Sequence, residues 1–143
     1  THQLKEMARI LSIDYGKKRS GIAVTDPLQI IATGLTTLET DSLIYWLKQY
    51  FKTEVVEKVI VGYPLALDNT PTDATPLVDK FLKNFSKIFP DLKIETVDEQ
   101  YTSQRAVAAM IDMGMKKKDR KIKGNIDELS ATIMLQEYLA AQS

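Results

Sequence analysis

Ala8-Arg9-Ile10-Leu11-Ser12-Ile13-Asp14, Tyr15-Gly16-Lys17-Lys18 and Ser20-Gly21-Ile22-Ala23-Val24-Thr25 read together as strand, tight turn, strand. The first segment is a short, mostly apolar run of the length a buried strand takes, and it stops on a carboxylate. Gly16 gives the turn a permissive backbone. Strands joined this closely pair antiparallel. Asp26-Pro27 marks the next turn and Ile30 to Leu38 a third strand, so the sheet begins as an antiparallel meander.

From Asp41 the apolar period changes. Leu43, Ile44, Leu47, Tyr50 and Phe51 form one helical face, with Thr40 or Asp41 as the expected cap. Lys58-Val59-Ile60-Val61-Gly62 is the continuous apolar run of a buried parallel strand, followed by a loop from Tyr63 to Asn69. Ala74, Leu77, Val78, Phe81, Leu82, Phe85, Ile88 and Phe89 trace an amphipathic helix that Pro90-Asp91 stops. Leu92 to Val97 is the fifth strand, and Thr102 or Ser103 can cap a helix ending at Gly114. Asn125 to Ala140 is the last helix, with Asn125 and Glu128 spaced as a capping box. The expected architecture is one α/β domain over residues 1–143: a mixed five-stranded sheet, meander first and parallel βαβ units after, flanked by helices.

Composition narrows the chemistry. The 143 residues contain no cysteine and one histidine, His2, which excludes a disulfide framework, a thiol nucleophile and thiolate zinc, and argues against a histidine-based zinc site or triad. No apolar run approaches the length of a membrane span and no signal-peptide pattern opens the chain, so a soluble cytoplasmic protein with no membrane partner is expected. Nineteen basic residues balance nineteen acidic ones, but unevenly. Lys116, Lys117, Lys118, Arg120, Lys121 and Lys123 form one cluster, opposed only by Asp119, and Lys17, Lys18 and Arg19 form another. Such blocks are either solvated loops or meeting points for a phosphate backbone.

Acids stand at element ends: Asp14 closes the first strand, Asp98 and Glu99 follow the fifth, and Asp127 is expected in the first turn of the last helix. Strand ends are where α/β proteins build ligand sites. Three carboxylates gathered there would repel one another unless a hard divalent cation, Mg²⁺ or Mn²⁺, sat among them. Two such ions ~4 Å apart clamp an in-line phosphodiester displacement. Each acid also has an ordinary reading. Asp14 can start a turn, Asp98 and Glu99 can be solvated, and Asp127 suits a helix dipole. Alternation puts Asp98 and Glu99 on opposite faces and does not say which one turns toward Asp14. Trp46 and Tyr50 fit a helix surface better than a base-stacking platform, and Thr102 and Ser103 fit caps better than catalytic groups.

At these residues the chain resembles a known family. Ile13-Asp14-Tyr15-Gly16-Lys17-Lys18-Arg19-Ser20-Gly21-Ile22-Ala23-Val24 resembles the opening motif of the YqgF/RuvX family. Val59-Ile60-Val61-Gly62-Tyr63-Pro64-Leu65 with Asp68 is similar to its Gly-x-Pro loop, and Val97-Asp98-Glu99-Gln100-Tyr101-Thr102-Ser103 to its Asp-Glu-Arg-x-Thr segment. Lys123 through Asp127 to Ser130-Ala131, with Leu135-Gln136-Glu137-Tyr138-Leu139, resembles its C-terminal helix. The resemblance implies an RNase H-like fold and an acidic trio of Asp14, Glu99 and Asp127, both catalytic and metal-holding, with Mg²⁺ or Mn²⁺ as cofactor. It implies a nuclease acting on precursor 16S rRNA or a Holliday junction resolvase. The two basic clusters, Lys17 to Arg19 and Lys116 to Lys123, would bind the nucleic acid. The chain departs from the family at Gln100, where Arg is usual, and at Ala66 and Asn69 in the central loop.

The favoured reading is an endonuclease of structured nucleic acid, with 5′-end processing of precursor 16S rRNA ahead of DNA junctions. Ribosomal or other protein partners, and a monomer or weak homodimer, fit that reading. A non-catalytic nucleic-acid or ribonucleoprotein binding module is the rival, disfavoured because all three acids are kept. A nucleotide phosphotransferase is set aside, since 143 residues give one lobe where two would close on the nucleotide.

Overall fold

The computed structural model describes residues 8–64, 70–98 and 123–142, with side chains from 127 onward in the last segment. In chain order it contains β1 (Arg9–Asp14), β2 (Arg19–Thr25), β3 (Ala32–Glu39), a 3₁₀ turn (Thr40–Ser42), α1 (Leu43–Thr53), β4 (Val56–Tyr63), α2 (Thr75–Ile88), β5 (Lys93–Asp98) and α3 (Lys123–Gln142). The five strands lie side by side as β3-β2-β1-β4-β5. β1 pairs antiparallel with β2, and β2 with β3, while β4 runs parallel to β1 and β5 parallel to β4. The expected mixed sheet, meander first and crossovers after, is the one that forms.

β1 is the central strand, and its sequence shows why. Leu11 and Ile13 point to one face and Ile10 and Ser12 to the other, all of them buried. On the first face Leu11, Ile13, Ile22, Val59 and Val61 meet Leu43 and Leu47 of α1 and Val78, Phe81 and Phe85 of α2. Each such side chain taken fully from water contributes ~1.5–3 kcal/mol. On the second face Ile10, Ala23, Ala32 and Ile60 meet Ala131 and Leu135 of α3. Trp46 stacks on Tyr50 at 4.9 Å and covers the first core, as the helical pattern suggested.

Three local expectations are corrected. The third strand starts at Ala32, not Ile30: the Asp26 carboxylate accepts hydrogen bonds from the backbone N–H groups of Ile30 (2.7 Å) and Ile31 (2.8 Å), holding both in a turn with exposed side chains. A local side-chain bond has outcompeted β-propensity there. Thr40 and Asp41 do not cap α1, which starts at Leu43 after the 3₁₀ turn without a side-chain cap. The Thr40 hydroxyl instead donates to the Gly16 carbonyl at 2.6 Å and lies 2.8 Å from Ser20 Oγ, tying the β1–β2 turn to the end of β3. The last helix begins at Lys123, so Asn125 lies inside it and is not its N-cap.

Candidate active site

The site is built where β1 ends. Asp14 pairs across the antiparallel ladder with Gly21. Directly opposed residues send their side chains to the same face, so the Asp14 carboxylate shares the face toward which a Gly21 side chain would point. That space is taken. A Cβ on Gly21 would lie 2.1 Å from the Asp127 carbonyl oxygen, 2.2 Å from its carbonyl carbon and 2.6 Å from the Glu128 nitrogen. Glycine is required here for contact between two backbones, and the contact sets the first turns of α3 on the cross-strand partner of Asp14. The sequence therefore brings Asp14 and Asp127 to one corner, at the carboxyl end of the parallel strands.

Gly16 has a related role that differs from its expected one. Its backbone is not left-handed; an added Cβ would meet the Arg19 carbonyl oxygen at 2.3 Å. The turn needs glycine for space. Lys17, Lys18 and Arg19 are exposed on it and line a surface depression with Glu39 and Asp41.

β5 shows which face Asp98 takes. Val97 aligns with Gly62 and Asp98 with Tyr63 in the parallel ladder. Val97 packs against the α3 core, whereas Tyr63 and Ile94 pack against the α1/α2 core. Asp98 belongs to the α1/α2 side, on the face opposite Asp14. Glu99 lies outside the described residues, as do Gln100, Thr102, Ser103 and the basic residues Lys116, Lys117, Lys118, Arg120 and Lys121; the side chain of Lys123 does too.

Asp127 is half-buried and its Oδ2 oxygen is buried. Among the described residues Ser12 Oγ and Ser130 Oγ are buried without a hydrogen-bond partner. Ser12 stands two residues before Asp14 on the same strand face, and Ser130 one helical turn after Asp127. Oxygen donors taken out of water are a fitting environment for a hard divalent cation, and Asp14 and Asp127 are the described residues that would hold one. Among the described residues no group of three potential ligands gathers.

Tyr15 turns to the other face. Its ring stacks on Phe81 of α2 at 4.6 Å, and burial, helped by the nearby Asp41 charge, raises its hydroxyl above the usual tyrosine value. A groove of 640 Å³ opens beside it, between α1 and α2, lined by Asp41 and by Lys80, Lys83 and Lys87 of α2. Reading α2 for its apolar positions alone passed over these lysines; their spacing of three and four along the polar face was the available signal. At the far end of α3, Lys58 donates a hydrogen bond to the Tyr138 hydroxyl, which donates to Glu95 at 2.9 Å, and Lys58 pairs with Glu95 at 3.2 Å. The Tyr138 hydrogen bond, then the charge pairing, lowers the Glu95 carboxyl and raises the Lys58 ammonium from their ordinary values.

The chain is similar to known proteins over nearly its whole length. The profile of the family described as RuvX, Holliday junction resolvase, matches residues 8–141. A Flavobacterium johnsoniae protein named "Putative pre-16S rRNA nuclease" is 54% identical over 136 residues, covering 95% of this chain and 99% of its own length. A Phocaeicola vulgatus protein of the same name is 49% identical, covering 95% and 98%. Among solved structures, T. thermophilus RuvC in complex with a Holliday junction substrate aligns with a TM-score of 0.52 and 15% identity, covering 94% of this chain and 95% of that one. That likeness shows the RNase H-like fold. Among the described residues no helix is long and apolar enough to cross a membrane.

Proposed function

The chain belongs to the RuvX (YqgF) nuclease family, and from that membership we propose that it is a divalent-metal-dependent endonuclease of structured nucleic acid, processing the 5′ end of precursor 16S rRNA. The observation that carries the reading is the backbone contact of Gly21 with Asp127, which puts α3 over the partner of Asp14. Glu99 is assigned as the third acid. Asp98 is turned to the opposite face, and Glu99 is the acid that the family's motif puts beside it. Bound Mg²⁺ or Mn²⁺ supplies the activation of water and the neutralisation of charge that in-line phosphodiester hydrolysis needs. Asp14 and Asp127 hold that charge at a fixed corner of a rigid sheet. Lys17, Lys18 and Arg19 engage phosphates flanking the scissile bond, and Lys116, Lys117, Lys118, Arg120 and Lys121, in the sequence before α3, engage the same polyanion together with Lys123 at its start. The protein works in the cytoplasm, as a monomer or weak homodimer, with ribosomal or other proteins as further partners.

The test is a cleavage assay with and without Mn²⁺ on a precursor ribosomal RNA leader and on a four-way DNA junction. The RNA is expected to be cut only with metal, and Asp14→Asn to lower the rate more than ~10³-fold, above 4 kcal/mol of barrier, with the fold unchanged. Normal cutting by Asp14→Asn would sink the site assignment. The family description and the RuvC fold favour junction DNA as the second reading. Metal-dependent cutting of the junction alone, by a stable dimer presenting two sites, would establish it. Salt-sensitive RNA binding with no cleavage of either substrate would favour a binding module.

A further inference from the structure

Asp14 and Tyr15 are consecutive residues about 3.8 Å apart at their α-carbons, yet they serve opposite faces of the sheet. The acid faces α3, while the ring stacks on Phe81 at the head of the groove between α1 and α2. That groove is a basic surface in a chain of zero net charge. Lys80, Lys83 and Lys87 line it with Asn84, and all four are exposed. Among the described residues these lysines make no ion pair, nor do Lys17, Lys18 and Arg19. Asp41 lines both the groove and the depression at the β1–β2 turn, so the two surfaces adjoin. Together they present six cations against the two acids Glu39 and Asp41.

Spacing fits a polyanion. Lys80 to Lys87 spans about two turns of α2, ~10.5 Å along its axis, and their steps of three and four keep the lysines on one side of the helix. That length matches ~3 steps of a duplex strand at 3.4 Å each. A small anion would need one pocket with converging donors; an open row of mobile ammonium groups suits a backbone that repeats its charge.

We propose that the α1/α2 groove carries the sugar-phosphate backbone of the substrate arm that leaves the cleavage corner on the face opposite α3, held by Lys80, Lys83 and Lys87. The proposal rests on the nuclease reading and extends it. The substrate bends over the β1–β2 turn, with Lys17 to Arg19 at the bend, and is gripped on both faces of the sheet. Such a device selects branched or folded nucleic acid over a short straight strand.

The experiment measures anisotropy of a labelled RNA hairpin with a long arm, and of the same hairpin with that arm cut back, against the full chain over a range of KCl. In the triple variant Lys80→Gln, Lys83→Gln, Lys87→Gln, long-arm affinity near 0.1 M salt is expected to fall ~10–100-fold. The slope of log affinity against log salt should drop by ~2–3, since each phosphate contact contributes 0.7–0.9. The wild type's preference for the long arm should disappear. An unchanged slope and preference in the triple variant, with loss in Lys17→Gln, Lys18→Gln, Arg19→Gln, would overturn the groove assignment and leave the nuclease reading standing. Absence of salt-dependent binding by the wild-type chain to either hairpin would overturn both.

Discussion

On one face of the sheet aromatic rings meet in a chain: Phe81 lies 5.9 Å from Phe85, Phe85 4.9 Å from Phe89, and Phe89 5.1 Å from Phe51. On the other face α3 rests on Gly21, Ala23, Ala32 and Gly34, small residues that let a helix backbone come close. The first face fills volume; the second minimises distance. Bulky residues between layers maximise buried area, which stabilises the fold. Small ones give up area and gain the precise placement of α3 against β1 and β2, from which the carboxylates take their position. The difference separates burial that stabilises the fold from close contact that places Asp14 and Asp127.

Substitutions can break that division or sharpen it. Phe85→Ala removes a ring with no exposure from the aromatic face, and a loss of ~3–5 kcal/mol is expected in urea unfolding. Cleavage per folded molecule should stay near wild type. A fall in that specific activity would show that the two faces are not separable.

Gly21→Ala acts in the opposite sense. Because the new methyl would overlap the Asp127 carbonyl, α3 must shift, at ~1–3 kcal/mol of overpacking. Cleavage should fall ~100-fold or more in protein that circular dichroism shows to be folded, since a misplacement near 1 Å can cost that much. Gly34→Ala is the matched control. Its nearest neighbours are the Glu128 side chain at 2.8 Å and Thr132 Oγ1 at 3.0 Å, and flexible side chains can give way where a backbone cannot.

Tyr138→Phe has the smallest effect and tests the far end of α3. At pH 7 a loss of ~1 kcal/mol is expected from the missing hydroxyl. Glu95 has a lowered carboxyl in the folded protein, so its contribution is present above the ordinary carboxylate range and is lost as pH falls through the lowered value. Lys58 has a raised ammonium value, so its contribution is full below the ordinary lysine range and is lost as pH rises through the raised one. The gap between wild type and variant should be widest from about pH 5 to about pH 10 and narrow on either side. A gap that stayed constant from pH 3 to pH 8 would mean the hydroxyl acts through packing alone.

Period and punctuation made most of the fold legible. Apolar runs located all five strands, and the change to helical period at Asp41 placed α1 and α2 within a few residues. Failures came where a side chain bonded locally, as at Asp26, or where tertiary contact recruited a capping residue, as at Thr40. Within the site, Asp14 was recognisable as a strand end, whereas Asp127, expected in the first turn of the last helix, lies beyond it because that helix begins at Lys123, and alternation could not choose between Asp98 and Glu99. Only the ladder with β4, which sends Tyr63 and Asp98 to the α1/α2 side, removes Asp98 from the acid corner. Gly16 was recognised as a turn glycine for the wrong reason, because crowding by the Arg19 carbonyl, three residues along the chain, leaves no local trace in the sequence. The α2 lysines went unread because an amphipathic pattern draws attention to the face that is buried.

The face change between Asp14 and Tyr15 bears on what this chain can tolerate over evolutionary time. Substitutions on the exposed turn, at Lys17 to Arg19, leave the register of the strand as it is. A single inserted or deleted codon within β1 is a different event: it transposes acid and ring, delivering the phenol to the α3 side of the sheet and the carboxylate to the α1/α2 side. Strand β1 thus behaves like a reading frame, forgiving of many spellings and intolerant of any shift by one.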